Sequence, residues 1–348
     1  MDLRAPIEFS KGAFPQSHNL PLLDDDEREG VGTRYKEQGQ DAAIALGHEY
    51  VSGQIKRERI EGWREFAQKH PDGYMYCFRG GLRSRLTQQA LAQEAGIDYP
   101  LIIGGFKSMR RYLIDALERE CQTGKYVVIT GRTGSGKTLV IQALDSAVDL
   151  EGIANHKGSS FGNNLTPQPS QIDFENNLSI ALLKLRESAF KVLYAEDESS
   201  LIGRCSLPKP FLHTLQQAPL ARVVESMESR LDLQIDEYII DNLQAYERKY
   251  AEEALTELEN FALGSLSRIR KRLGDERCTQ LMAEVKHAFD VQRQTSDPHV
   301  HRDWIQQLLE EYYDPMYDYQ LAKKSDRDLF QGSRAEVIAW AREHLSGL

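Results

Sequence analysis

The chain has 348 residues, 41% hydrophobic and 28% charged, the profile of a folded globular protein with enough material for two cores. Its formal net charge of −10 counts against a surface that binds nucleic acid as a whole. Met1-Asp2-Leu3-Arg4 has no apolar stretch behind it, no apolar run approaches a membrane span, and Cys77, Cys121, Cys205 and Cys278 form no CxxC pair. A cytoplasmic protein without a signal peptide, membrane span, disulfide framework or structural metal is therefore expected.

In chain order, residues 1–120 read as alternating short strands and helices. The run 74–78 is β-prone and leads into an Arg-Gly-Gly turn. Leu86, Ala90 and Leu91 predict a helix over 84–95, with Gly96 as its stop. A strand over 99–103 and a helix over 110–120 follow, and this rhythm implies a parallel sheet with helices packed on it. A second unit starts near Thr123-Gly124 with a buried parallel strand over 126–130 and a helix from Lys137 to about Ala147. Residues 155–170 are rich in Gly, Ser, Asn and Pro and read as loop; 191–195 reads as another buried strand. Beyond Arg222 the pattern becomes mostly helical and strongly charged. The expected fold class is α/β, with domains at 1–120 and 121–348, the latter helical from about 225.

Two loops carry chemistry. The first is Cys77-Phe78-Arg79-Gly80-Gly81-Leu82-Arg83-Ser84. A thiol attacks as the thiolate, and its ordinary pKa of about 8.5 leaves little thiolate at neutral pH. Backbone amides at a helix start lower that pKa and bind oxyanions, and Gly80 and Gly81 let the backbone curl so that several amides point inward. Arg79 and Arg83 offer a guanidinium fork to an oxyanion. The plainer reading is a buried structural cysteine beside a salt-bridged surface loop.

The second loop, Gly131-Arg132-Thr133-Gly134-Ser135-Gly136-Lys137-Thr138, satisfies the G-x-x-x-x-G-K-[ST] pattern between an apolar strand and a helix. Its amides, including those of Gly131, Gly134, Ser135 and Gly136, would wrap a di- or triphosphate. Lys137 would reach the outer phosphates and Thr138 would ligate Mg²⁺. Asp197 is the best acidic partner for that ion, with Glu196 and Glu198 as rivals; a solvated strand end is the plainer reading of the triplet. The pattern identifies polyphosphate, not nucleotide.

Asp2-Leu3-Arg4, Glu8-Phe9, Gly12-Ala13-Phe14-Pro15 and Asn19-Leu20-Pro21 resemble the opening of a rhodanese-type domain, and Gly104-Gly105-Phe106-Lys107 resembles its close. The resemblance puts Cys77 at the position of the persulfide-forming cysteine. Five residues separate Cys77 from Arg83, where the usual sulfurtransferase loop has four; the longer loop is similar to that of rhodanese-like phosphatases, which accommodate tetrahedral phosphate. Met1 abuts Asp2-Leu3-Arg4, so the first strand is expected to be missing or very short, with the sheet edge in question.

Together with Gly32-Thr33-Arg34-Tyr35-Lys36-Glu37-Gln38-Gly39 and His156-Lys157-Gly158-Ser159-Ser160-Phe161-Gly162, these segments resemble the bacterial tRNA 2-selenouridine synthase family from residue 2 into the helical C-terminal part. The resemblance implies replacement of the sulfur of wobble 2-thiouridine by selenium from selenophosphate. It also implies an S-geranyl intermediate made from geranyl diphosphate, because alkylation turns that sulfur into a leaving group. Cys77 would accept selenium, with Arg79, Gly80, Gly81, Arg83 and Ser84 around the phosphate. The P-loop would cradle the diphosphate of the geranyl donor, with Mg²⁺ on Thr138 and Asp197. No tightly bound cofactor and no membrane partner are implied.

For tRNA, residues 77–112 hold six basic and two acidic side chains, a local balance of +4. Lys107, Arg110 and Arg111 are candidate contacts there; Arg268, Arg270, Lys271 and Arg272 form a second cluster. Phe78, Phe106, Tyr112 and Phe161 are candidate base platforms, although each such aromatic is more often a core residue. The rival readings are a phosphatase or sulfurtransferase coupled to an NTPase, a P-loop kinase or NTPase with a degenerate rhodanese module, and a non-enzymatic RNA-binding protein, which the net charge disfavours.

Overall fold

The computed structural model describes residues 1–188 and 190–344. The chain divides into two compact units: residues 1–117 with 170–180, and residues 118–169 with 181–348. The stretch 170–180, which the sequence assigns to the P-loop part, belongs to the first unit.

In the first unit four short segments run parallel. Asp2 bridges both Asn19 and Tyr76, and Met75 bridges Leu101. Backbone bonds from Leu3 N to Tyr76 O (2.8 Å), Tyr76 N to Met1 O (3.1 Å) and Met75 N to Pro100 O (2.9 Å) set the register. The expected strands at 74–78 and 99–103 thus appear as isolated bridges, and the segment at Met1–Leu3 lies between two neighbours instead of at an edge. Arg4 is buried and fixes this end of the sheet. It donates to the Asp2 carboxylate (2.6–3.0 Å) and to Gly12 O (2.9 Å), and stacks on Phe106 at 3.8 Å.

Four helices surround these segments: α1 (Asp25–Tyr50), α2 (Gly53–Lys69), α3 (Leu82–Ala95) and α4 (Gly105–Thr123). The sequence reading did not place α1 or α2. The first of them starts with a capping box in which Asp24 and Glu27 exchange bonds of 2.8 Å, and breaks at Gly39, whose φ of +85° suits glycine. Helix α3 ends on left-handed Gly96, as the sequence predicts. Leu3, Trp63, Met75, Leu91 and Tyr99 form the core, each large side chain contributing about 1.5–3 kcal/mol by burial.

The second unit is built on a five-stranded sheet with every pairing parallel. Its strands are β1 (Tyr126–Gly131), β2 (Ala147–Val148), β3 (Leu193–Glu196), β4 (Leu220–Val223) and β5 (Asp328–Gly332), in spatial order β2-β3-β1-β4-β5. Every residue of β1 is buried, so the strand carries an unbroken apolar run. Helix α5 (Lys137–Gln142) is shorter than expected, because the chain turns to lay Ala147 and Val148 against β3. Helices α6 (Leu150–Ala154) and α7 (Gln171–Glu187) follow.

A helical part then runs through α8 (Met227–Ile235), α9 (Asp241–Tyr250), α10 (Ala254–Leu273), α11 (Asp275–Thr295), α12 (Arg302–Leu308) and α13 (Asp314–Ala322). Leu258, Leu266, Val285, Phe289 and Leu309 are in its core. Two π-helical turns interrupt it, Asp236–Ile240 after α8 and Leu309–Tyr313 after α12. The chain then returns to the sheet as β5 and closes with α14 (Arg334–His344), a return that the mostly helical reading beyond Arg222 did not include. No helix among the described residues is long and apolar enough to cross a membrane.

Candidate functional site

Cys77 ends the segment that pairs with Met1–Leu3, and its loop delivers α3. The Gly104-Gly105 turn interlocks with that loop: Phe106 N donates to Cys77 O and Lys107 N to Phe78 O, both at 2.9 Å. A Cβ on Gly105 would fall 2.2 Å from Cys77 O and 2.4 Å from Gly80 N. Gly80, Gly104 and Gly105 all take positive φ, so this close approach requires glycine. Burial alone would raise the Cys77 thiol. The Ser84 hydroxyl, the Ser84 amide, the Arg83 charge and the Gly81 amide outweigh it, and the pKa is lowered. Ser84 is fully buried. Arg83 is braced by Glu8, with N–O distances of 2.5 and 3.1 Å, so its guanidinium is held beside the sulfur. Arg79 is exposed. A lowered thiol pKa beside a guanidinium and turn amides is an arrangement that can favour the thiolate and accept an oxyanion.

The P-loop follows β1 directly. Gly131, Gly134 and Gly136 have positive φ, and a Cβ on Gly131 would meet Val223 O at 2.6 Å. Lys137 Nζ donates to Gly131 O (3.2 Å) and Arg132 O (3.4 Å). Burial works against its charge, but Tyr317, Glu198, Glu151 and Asp197 hold the ammonium above its usual range. Arg230 supports the loop from a buried position. Its Nε donates to Thr133 O (2.9 Å), while its other two nitrogens grip Asp314 at 2.9 and 2.5 Å. A cleft of about 360 Å³ opens over Gly134, Lys137 and Thr138, with Lys157, Glu237 and Tyr317 in its walls.

Acidic groups line the same cleft. Thr138 Oγ1 donates to Glu151 Oε2 at 2.8 Å. Glu151 is pushed up by burial, and Glu198 up to about 8 by burial and by Glu151 beside it. Two carboxylates that resist ionising together beside a hydroxyl are a donor set suited to a hard divalent cation, whose charge would let both ionise. Asp197 is engaged elsewhere: it accepts from Thr130 Oγ1 (2.6 Å) and pairs with Lys324 (2.7 and 2.9 Å). Glu196 is buried, raised well above the usual range by burial, and caps α6 by accepting from Leu150 N (2.8 Å) and Glu151 N (3.1 Å).

Residues 124–347 match the family model described as the tRNA 2-selenouridine synthase AAA domain. The tRNA 2-selenouridine synthases of Marinobacter nauticus and Shewanella frigidimarina are 49% and 50% identical to the chain over 347 residues, 99% of this chain and 94% of each relative. That of Pseudomonas aeruginosa LESB58 is 48% identical over 344 residues, 99% of this chain and 93% of the relative. The chain belongs to the tRNA 2-selenouridine synthase family. As a member of this synthase family it is an enzyme, and its P-loop lies inside the matched AAA domain.

The Cys77 loop and the P-loop each lie within a single unit, the first in residues 1–117 and the second in residues 118–169. The cationic candidates divide. Arg110 is tied to Glu175 and Asn176, Arg111 pairs with Asp115 at 3.0 Å, and Arg270 faces Asp275 at 3.4 Å. Arg268 donates to Ser160 O and Ser265 Oγ at 2.7 Å. Lys107, Lys271 and Arg272 are exposed. Of the candidate platforms, Phe106 and Phe161 are core residues, whereas Phe78 and Tyr112 are exposed. The sequence reading assigned no role to Glu151, Arg230 or Asp314. Lys157 stood in a segment quoted only for its resemblance, and its nearness to the P-loop depends on the fold.

Proposed function

We propose that the chain replaces the sulfur of wobble 2-thiouridine in tRNA with selenium in two steps, one at each loop. In the first, the P-loop holds geranyl diphosphate. The thiouridine sulfur attacks the first carbon of the chain, a C–S bond forms, and the C–O bond breaks with its electron pair on the leaving diphosphate. Lys137 and the loop amides stabilise that charge. Thr138, Glu151 and Glu198 would hold Mg²⁺, which supplies further charge stabilisation when bound.

In the second step the Cys77 nest, read as that of a rhodanese-like unit, binds selenophosphate. The thiolate attacks selenium, an S–Se bond forms, and the Se–P bond breaks with its electron pair on phosphorus, which is thereby reduced and leaves as phosphite. Terminal selenium then attacks C2 of the base and expels the alkylthiolate. Two equivalents of an external thiol then reduce the remaining S–Se bond: the first takes the Cys77 sulfur as a mixed disulfide and frees the selenated base, and the second leaves as the thiol's own disulfide and restores Cys77.

One observation carries the choice of a prenyl donor over a nucleotide. The phosphate cleft shares Thr133, Ser159, Gln234 and Tyr238 with an apolar slot lined by Phe161, Trp304, Ile305, Leu308 and Tyr313. Both π-helical turns contribute to it, Tyr238 from one and Leu309 and Tyr313 from the other. The slot is narrow, about 30 Å³ in this structure, so a polyphosphate head fits the cleft as it stands and an apolar tail would enter the slot only as its aromatic lining moves apart. The test is mass spectrometry of wobble nucleosides after incubation with geranyl diphosphate and selenophosphate, separately and together. Cys77→Ala should spare geranylation and block selenium entry. Lys137→Ala should slow geranylation by about a hundredfold or more. ATP-dependent turnover, or unchanged geranyl diphosphate affinity in Lys137→Ala, would overturn the reading.

A further inference from the structure

The cleft over the P-loop holds a second lysine, Lys157, besides Lys137. It arrives on a separate loop with a fixed shape. Lys157 N donates to Gly162 O (2.9 Å), and Gly158 N donates to Nδ1 of the buried His156 (3.1 Å). Gly158 has a φ of +62°, and a Cβ there would fall 2.6 Å from Glu151 Oε1 and 3.0 Å from Glu198 Oε1. Glycine therefore lets this loop come up against the two carboxylates nearest Thr138, and Lys157 enters the wall of the same cleft.

The ammonium of Lys157 is loosely held. Among the described residues its hydrogen bond is to Glu237 O at 3.4 Å and its ion pair is with Glu237 Oε2 at 4.0 Å, both long. It also lies 4.9 Å from the centre of the Tyr238 ring, a contact that steadies the charge without using an N–H. An ammonium has three N–H donors, so Lys157 can keep Glu237 and still donate to an incoming acceptor. Burial pushes the Glu237 carboxyl up, and both Lys157 and Lys137 oppose that, so the two ammonium groups act on one carboxylate of the cleft. The charge balance shows what a second lysine is needed for. Glu151, Glu198, Asp236, Glu237 and Asp241 line the cleft against only these two lysines. A divalent cation would answer Glu151 and Glu198; a polyanion entering beside the other three carboxylates needs more positive charge than Lys137 alone provides. We propose that Lys157 is a second phosphate-binding cation of this cleft, donating to a diphosphate seated on the P-loop and sharing its charge with Lys137. This rests on the reading of the P-loop as a diphosphate cradle and holds whatever group the diphosphate carries.

Calorimetric titration of the full chain with inorganic pyrophosphate and Mg²⁺ tests the proposal. Lys157→Met keeps the alkyl stem beside Tyr238 and removes the charge, with Lys157→Gln in its place should that variant fold poorly. The neutral variant should bind pyrophosphate about tenfold or more weakly. Lys157→Arg keeps the charge and should recover most of the affinity, and urea midpoints should match the wild type in each case. Affinity unchanged in the neutral variant, no recovery with arginine, or a loss that tracks a lowered midpoint would overturn it. Lys137→Ala separates the proposal from the reading beneath it. Pyrophosphate lost in Lys137→Ala but bound normally by the neutral Lys157 variant would remove the role of Lys157 and keep the diphosphate cradle. A wild type that binds no pyrophosphate would remove both. Parallel titrations with geranyl diphosphate and ADP separate the sources of the diphosphate: dependence on Lys157 for ADP, with no binding of geranyl diphosphate, would support Lys157 and remove the prenyl donor.

Discussion

Ser84 is fully buried beside Cys77, and its hydroxyl oxygen has no other hydrogen-bond partner among the described residues. The sulfur is buried, which by itself favours the neutral thiol, and the net lowering of its pKa comes from a hydroxyl, two amides and one guanidinium. Of the lowering contributions, the Ser84 hydroxyl is the largest. Ser84→Ala should therefore raise the Cys77 pKa. The pH midpoint of iodoacetamide labelling at Cys77 should move upward, and labelling at pH 7 should slow by about threefold or more. Mass mapping separates this thiol from Cys121, which burial pushes up to about 11, and Cys205, which burial also raises. A labelling midpoint that stays in place would show that the amides and Arg83 suffice. The same variant should leave geranylation intact, because Ser84 belongs to the unit that does not contain the P-loop.

At the scale of elements, the P-loop is held by a helix distant in sequence. Arg230 on α8 connects Thr133 O to Asp314, the first residue of α13, and both side chains are largely buried. Removing one partner leaves a charge without compensation. Arg230→Ala or Asp314→Ala should each cost about 3–5 kcal/mol in urea unfolding, and a joint replacement by Met and Leu should recover much of that. If the single variants lose under about 1 kcal/mol, the pair is no brace.

This contact also explains what could be read in advance. The P-loop and the Cys77 loop were legible because their chemistry is local: the glycines stand next to the groups they shape, between a β-prone run and a helix. Helix α3 was read from residue 84, two residues after its true start at Leu82, and its stop at Gly96 was legible for the same reason. Glu151 was not. It lies 13 positions from Thr138, and only the turn into β2 and α6 brings the two together. Strand β5 escaped because it is a five-residue segment of partly exposed residues after a long helical stretch, and its place in the sheet depends on pairing with β4. The buried aromatics Phe106 and Phe161 looked like base platforms because composition does not distinguish a core ring from an exposed one.

Charge decides the behaviour of the whole molecule toward RNA. A protein of net charge −10 repels a polyanion on average, so tRNA must be held by a few local cations while the rest of the surface opposes binding. The ion pairs narrow the choice. Arg110, Arg111 and Arg270 face carboxylates, and Arg268 is bonded to backbone and hydroxyl groups. Lys107, Lys271 and Arg272 are exposed and are the stronger candidates for phosphate contacts. Affinity for the tRNA substrate should therefore fall steeply with salt, and Lys271→Ala with Arg272→Ala should reduce the slope of log affinity against log salt by about 1–2. Arg110→Ala should act differently. It removes a brace to Glu175 and Asn176 within the first unit, so its main effect should be on stability, with the salt slope little changed. Filter binding at several salt concentrations, with unfolding curves for each variant, separates the two outcomes. A slope unchanged in the Lys271 and Arg272 double variant would move the tRNA footprint away from α10.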